Sequence, residues 1–257
     1  MRTLLFGLFL IGIVAILLVL REPTPITIEP TISPTLSFSP SPSLPSDSTD
    51  MNQNGKVYRV AWLSVTDPSA LTLIPNFTEK RIARSLIDRK QCAQVVNGGF
   101  YTKDSQPTGL FITEGKTIRD SIPNTLLNGY VVVAQDGTVS ILESPPEQTA
   151  RLALQTGPII IHEGKTLNLA IRDDEFARRV VGGITQNGVI IFLAIYDPEN
   201  PWSGPKLADT PSIVSKVAAR LQITDAINLD GGSASAFIRD DLSLEELTSV
   251  GSFFCIK

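Results

Sequence analysis

Asp230 stands where an apolar run stops. The stretch Ala226 to Ile238 reads AINLDGGSASAFI: a strand-like opening, one carboxylate, two glycines and a run of small residues. Strand alternation puts Ile227 and Leu229 on one face and Asn228 and Asp230 on the other. Glycines directly after a strand let another backbone or a ligand come close. Asp230 therefore reads as a carboxylate held by a rigid strand, with Gly231, Gly232 and Ser233 clearing and lining the space before it. An ordinary Asp-Gly hairpin turn has the same local pattern.

Two further apolar runs end in the same manner. One runs into Asn97-Gly98-Gly99-Phe100-Tyr101, the other into Gln155-Thr156-Gly157-Pro158. A single cluster of this kind is a turn; three in one body predict a shared pocket at strand ends. Arg178 and Arg179 open another strand, RRVVGGIT, and a strand-borne Arg is a planar, two-pronged anchor for phosphate or carboxylate. His162 is the only histidine, so a two-His metal site is excluded and any Ser-His-Asp triad would have to use it. The Gly-x-Ser-x-Gly elbow that such a triad wants is missing. So are a P-loop and a strand-helix Gly-x-Gly-x-x-Gly, which leaves nucleotide-cofactor chemistry unsupported. No cofactor is identified. A divalent cation beside Asp230 fits the chemistry, but no ligand set for one is visible.

The elements that must hold these residues are short apolar runs between turn signals, beginning near Asn54. KVYRVAWLSV alternates like a strand, ALTLIP follows, and CAQVV is a buried strand leading to Asn97. GYVVVAQDGTVSIL and RRVVGGITQNGVIIFLAI read as hairpins with turns at Asp136-Gly137 and Asn187-Gly188. DAINLD is a strand and SVGSFFCI closes a sheet. Helical periodicity predicts a helix over 78–90 capped by Thr78, and a second over TPSIVSKVAARL capped by Thr210 with Pro211 at the first helical position. GLFITEGKT and GPIIIHEGKT echo each other and read as two similar hairpin turns, although an internal duplication has the same signature. The expected class is α+β: a mixed, strand-rich sheet core with two main helices.

Thr3 to Leu20 is an uninterrupted apolar run between Arg2 and Arg21; as a helix it would span roughly 27 Å, the thickness of a bilayer core. No small-x-small cleavage site follows it, so residues 1–21 read as an uncleaved anchor, with a cleaved signal peptide as the alternative. Either places the body outside the cytoplasm. Residues 22–53 are rich in Pro, Ser and Thr and read as a disordered stalk ahead of a single body over 54–257. The net charge of −4, with no basic run, argues against a nucleic-acid partner. Cys92 and Cys255 are the only cysteines; a pair between them and two separate buried thiols both fit.

Four stretches in order, VVNGGFYTKDSQPTGLFITEGK, ALQTGPIIIHEGK, RRVVGGITQNGVIIFLAI and AINLDGGSASAF, resemble the phosphodiester glycosidase family, that of N-acetylglucosamine-1-phosphodiester α-N-acetylglucosaminidase. The resemblance covers roughly 58–254. It implies an α/β fold with mixed sheets and hydrolysis of a sugar-1-phosphodiester. Carried over by motif, Asn97 and Gly99, Thr156 and Gly157, Arg179, and Asn228, Asp230, Gly231 and Gly232 match the family's signatures. Ser233 departs from them, because the family often has a third glycine there; its hydroxymethyl would narrow the pocket or add a hydrogen bond.

The expected roles follow. Arg179 binds the phosphodiester, Asp230 acts as nucleophile or general base, and Asn97 and Asn228 orient sugar hydroxyls or phosphate. Gly99, Thr156, Gly157, Gly231, Gly232 and Ser233 form the substrate-binding surface. Glycoside hydrolysis usually employs two carboxylates, and Glu114 and Glu163 are the candidates for the second. Two other readings fit the same pocket: a non-catalytic module that grips anionic cell-surface glycans, and a phosphodiesterase that cuts the phosphorus–oxygen bond.

Overall fold

The computed structural model describes residues 48–257. The apolar run Thr3 to Leu20 and most of the Pro/Ser/Thr-rich segment lie outside the described residues. The remainder of the chain folds into three sheets. A seven-stranded sheet has the order β1 (Ser48–Gln53), β2 (Lys56–Val65), β13 (Ile190–Tyr196), β12 (Arg179–Thr185), β14 (Ile223–Asn228), β10 (Ile159–His162) and β11 (Lys165–Thr166). A five-stranded sheet runs β16 (Leu242–Leu244), β15 (Phe237–Arg239), β4 (Gln94–Asn97), β17 (Ser252–Ile256), β3 (Leu71–Pro75). A second five-stranded sheet runs β6 (Lys116–Arg119), β5 (Phe111–Thr113), β9 (Ala150–Thr156), β7 (Gly129–Ala134), β8 (Val139–Leu142).

The strand-rich character stands, but the sheets are not mixed. Every strand pair among the described residues is antiparallel. Tight turns explain much of this, since a two-residue connection can only reverse the chain. Asp136-Gly137 joins β7 to β8, with Asp136 Oδ1 accepting from the Thr138 N–H, and Asn187-Gly188 joins β12 to β13. The two Glu-Gly-Lys-Thr stretches are hairpin turns as well: Glu114-Gly115 and Glu163-Gly164 all take positive φ between paired strands.

One apolar core lies between the sheets. In β13, Ile190, Phe192, Ala194 and Tyr196 point into it, joined by Leu63, Phe111, Leu154, Ile227 and Phe254 from the other strands. The alternate residues Ile191, Leu193 and Ile195 pack outward against α2 (Thr210–Leu221) through Ile213, Val214, Val217 and Leu221. Both faces of β13 are thus buried, which is why its sequence shows a continuous apolar run instead of alternation. On the far side, α1 (Ala83–Asp88) packs Ala83 and Leu86 against Val95 and Phe253.

The first helix starts later than periodicity predicts and the second one residue earlier. Thr78 is not a cap, because buried Asn76 takes over that segment: its Oδ1 accepts from the Arg81 N–H and its Nδ2 donates to the carbonyls of Arg81 and Val250. The α1 N-terminus is met instead by Glu246, whose Oε1 accepts from the Ala83 N–H at 2.7 Å. At α2 the cap position is Asp209, and Thr210, already helical, donates its hydroxyl to the Lys206 carbonyl. The N-terminal limit of the body also moves: Ser48–Gln53, read as the end of the stalk, form β1, in register with β2 from Ser48↔Ala61 to Gln53↔Lys56. Of the two readings for the cysteines, the pair is realised: Cys92 and Cys255 form a disulfide across a sequence separation of 163 residues.

Candidate active site

The strand ends singled out by sequence converge where the three sheets meet. β4 of one sheet ends at Asn97, β9 of another at Thr156, and β14 of the third at Asn228, with the start of β12 beside it through the pair Val181↔Asn228. Backbone hydrogen bonds fasten the ends together. The Gly157 N–H donates to the Asn228 carbonyl at 3.1 Å, the Asp230 N–H to Gly98 at 3.2 Å, the Leu229 N–H to Val180 at 2.8 Å and the Gly232 N–H to Arg178 at 2.8 Å. Glycine is required where these backbones touch. A Cβ on Gly98 would lie 2.2 Å from Ser252 Oγ, and one on Gly157, whose φ is +153°, would lie 2.3 Å from the Leu126 carbonyl.

The side chains divide into those that brace the junction and those that face its opening. Asn97 is wholly buried. Its Nδ2 donates to the carbonyls of Asp230 (2.7 Å) and Gly98 (3.0 Å), and its Oδ1 accepts from the Ala236 N–H (2.9 Å). Both donors and the acceptor are engaged inside the protein, so the expected contact with a sugar hydroxyl gives way to a grip on the Asp230 backbone. Thr156 is buried too and donates its hydroxyl to the Asn228 carbonyl at 2.9 Å. Asn228 donates to the carbonyls of Gly157 and Leu229, and its Oδ1 is buried with no hydrogen-bond partner among the described residues. Gly99 packs beside Leu154 and the Gln155 carbonyl. Ser233 is exposed in a 3-10 turn; its hydroxyl accepts from Thr248 Oγ1 at 3.2 Å and its carbonyl from the Leu247 and Thr248 N–H groups.

Asp230 is partly buried, and one carboxylate oxygen accepts from the Gly231 N–H at 2.9 Å. Burial pushes its carboxyl up to about 7, the Gly231 hydrogen bond opposing the shift. The Tyr101 phenol is pushed up as well, first by burial and then by the Asp230 charge. Tyr101 donates its phenol hydrogen to the Ser249 carbonyl.

Arg178, just before β12, and Arg179, its first residue, part company. Arg179 is held on one side: Nε donates to the Pro205 carbonyl (3.0 Å), and Nη2 to Asp174 Oδ1 (3.3 Å) and the Glu175 carbonyl (2.5 Å). Its Nη1 bonds to none of the described residues and lies 3.8 Å from where a Gly231 Cβ would be. Asp174 is itself fixed by the N–H groups of Leu207 and Ala208. Arg178 is buried, and desolvation pushes its guanidinium down to about 10. It donates to Ser235 Oγ (2.7 Å) and to the carbonyls of Ser235, Pro201 and Glu245, tying three loops around the glycines. Sequence reading gave no role to Arg178; the signal was the pair itself, since alternation sends one of two adjacent arginines inward. Gln155 is a second hub that was not singled out, bonding Leu110, Ser121, Ile122 and Leu127.

Other candidates fall elsewhere. Glu114 and Glu163 are exposed in hairpin turns, and His162 Nδ1 lies 3.1 Å from Asp225 Oδ1 toward the opposite end of β14 from Asp230. A cavity of about 1090 Å³ shares no residue with the junction and is lined by Thr72, Pro75, Arg81, Lys90, Cys92 and Lys257 among others. No group of three or more His, Cys, Asp or Glu that could hold a metal occurs among the described residues.

A family profile described as phosphodiester glycosidase matches residues 90–254. The chain resembles the solved catalytic domain of zebrafish N-acetylglucosamine-1-phosphodiester alpha-N-acetylglucosaminidase, auto-inhibited by its pro-peptide. The TM-score is 0.64 at 15% identity, covering 84% of this chain and 85% of that one. A protein from Synechocystis gives 0.51 at 14% identity (80% and 61% covered), and an exported protein from Burkholderia pseudomallei gives 0.53 at 12% (78% and 74%). At these identities the likeness is one of fold. Among curated proteins, none matches the chain.

Proposed function

The chain belongs to the phosphodiester glycosidase family and is a hydrolase, and on that premise we propose that it releases sugars from sugar-1-phosphodiesters in envelope glycans. The observation that carries the proposal is the meeting of one strand end from each sheet around a single carboxylate of raised pKa, with an Arg179 nitrogen turned toward the adjoining glycine.

In this reading Arg179, steadied by Asp174, binds the phosphodiester through Nη1. As the C1–O bond breaks, negative charge gathers on the phosphate oxygens, where a fixed cation lowers the barrier. Water adds at C1 and Asp230 takes its proton; a group titrating near 7 is matched to that task at neutral pH. The leaving group is a phosphate monoester, whose conjugate acid has a pKa of about 6. It departs as an anion without a proton donor, so one carboxylate suffices where ordinary glycosides need two. Asn97 acts through the Asp230 backbone as a positioning residue, while the unpartnered Asn228 Oδ1 is an acceptor for a water or sugar hydroxyl at the junction.

The body is proposed to work outside the cytoplasm, held to the membrane by the apolar run Thr3 to Leu20. The Cys92–Cys255 disulfide supports an oxidising compartment. The deciding assay follows free sugar from an α-N-acetylglucosaminyl phosphodiester with wild type, Asp230→Asn and Arg179→Lys side by side. Release should fall at least 100-fold in Asp230→Asn and about 10-fold in Arg179→Lys. Undiminished release by Asp230→Asn would remove that carboxylate from the chemistry. Oxygen-18 from labelled water is expected in the sugar; label in the phosphate would mean that the phosphorus–oxygen bond is cut.

A further inference from the structure

Seven large apolar side chains are exposed among the described residues, and only two of them, Phe176 and Trp202, are aromatic. Both belong to segments that abut the glycine loop. Phe176 precedes Ala177, whose Cβ lies 3.8 Å from where a Gly232 Cβ would be. Trp202 accepts a hydrogen bond from the Arg178 N–H on its carbonyl, and Arg178 in turn accepts from the Gly232 N–H. The two rings are finished differently. Phe176, 48% exposed, is shared by two ammonium groups, Lys56 Nζ at 4.0 Å and Lys206 Nζ at 5.4 Å from its centroid. Trp202, 43% exposed, has a single cation against it, the buried Arg178 guanidinium 4.9 Å from its centroid.

That indole is held stiffly. Its loop is closed by hydrogen bonds from the Asp197 N–H to Ser203, the Ser203 N–H to Asn200 and the Trp202 N–H to Asn200 Oδ1. Arg178 also grips the loop through the Pro201 carbonyl and, by its other nitrogens, reaches Ser235, whose hydroxyl donates to the Gly232 carbonyl. Indole, guanidinium, serine and glycine loop thus form one continuous stack from an exposed ring to the backbone beside Asp230. A cation against one face leaves the exposed indole surface for a second partner. A pyranose ring fits: its C–H face is apolar and carries partial positive charge, which suits the electron-rich aromatic face, and a rigid indole loses little entropy on binding.

We propose that Trp202 is an aromatic platform that stacks a sugar ring of the substrate beside the Asp230–Gly232 loop. The proposal rests on the sugar-phosphodiester reading above and adds a binding subsite to it. A platform is a uniform-binding device: it holds the sugar in the ground state and the transition state alike. Trp202→Ala in the full-length chain should therefore raise KM about five- to twentyfold with kcat within about twofold of wild type, and Trp202→Phe should recover most of the loss.

Fluorescence separates the platform from the chemistry. The chain has two tryptophans, and Trp62 is wholly buried, so acrylamide-quenchable emission belongs to Trp202. In Asp230→Asn, which preserves the probe, methyl phosphodiesters of N-acetylglucosamine, glucose and mannose should include one that lowers Trp202 quenching at least twofold. Normal sugar release with unprotected Trp202 and an unchanged KM in Trp202→Ala would overturn the platform while leaving the hydrolase reading intact. If wild type releases no sugar, the substrate reading fails, and quenching alone decides: protection sustains the sugar platform and its absence overturns it.

Discussion

The Asp230 carboxyl links stability to pH as well as chemistry to geometry. Its pKa is about 7 in the folded chain against 3.8 for an unperturbed aspartate. Between those values the folded state holds a proton that the unfolded state has released, so stability declines as pH rises from about 4 to about 7. The full shift corresponds to about 4 kcal/mol, an upper bound for a partly solvated group. Asp230→Asn escapes the decline. Its urea midpoint should match wild type near pH 4 and exceed it at pH 8 by the equivalent of about 1–3 kcal/mol. Equal midpoints across that range would mean that Asp230 is not desolvated. At this scale the sequence was informative about identity but not about duty. Asn97 and Asn228 look alike beside their strands, and only the hydrogen-bond partners reveal that the first is committed to Asp230 and Ala236 while the second keeps a lone acceptor.

Among elements, the turn after β9 is the most sensitive position. Gly157 combines a φ of +153° with a Cβ direction that points into the Leu126 carbonyl. Gly157→Ala should cost about 3 kcal/mol through strain and displacement, and it should reduce sugar release further by shifting Thr156 and the Asn228 carbonyl. Gly137→Ala is the control. Its φ of +87° is also reserved to glycine, but nothing lies within 4 Å, so about 1 kcal/mol is expected with activity unchanged. Comparable urea midpoints for the two variants would show that the junction tolerates movement. Strands and hairpins were legible because alternation and Asp-Gly or Asn-Gly pairs act locally: β2 spans the KVYRVAWLSV run. The helix ends were not, because distant residues set them. Glu246, 163 positions from Ala83, meets the α1 N-terminus. β1 was also missed, since polar STDMNQ gains its place from β2 and not from its own pattern.

Across the whole molecule, the disulfide fastens β17 to the segment after α1 and closes a loop of 163 residues. In the chain-entropy account such a closure is worth roughly 5 kcal/mol, so Cys92→Ala with Cys255→Ala should lower the urea midpoint far more than any surface substitution, while sugar release below the transition persists. The three-sheet plan itself could not be read from single strands, because the chain leaves and re-enters each sheet. β2 pairs with β13 in a register that joins Val65 to Ile190, whereas β5 to β9 form their sheet entirely within residues 111–156. This contrast dictates an order of events. Short loops close early and long ones late, so the local sheet should mature first and the active-site junction last, when β14 finally reaches it. Under the export proposed above, catalysis would switch on only after nearly the entire chain has crossed. Pulsed hydrogen exchange during refolding should show amides of Phe111 to Thr156 protected ahead of those in β2 and β13; simultaneous protection would contradict that schedule.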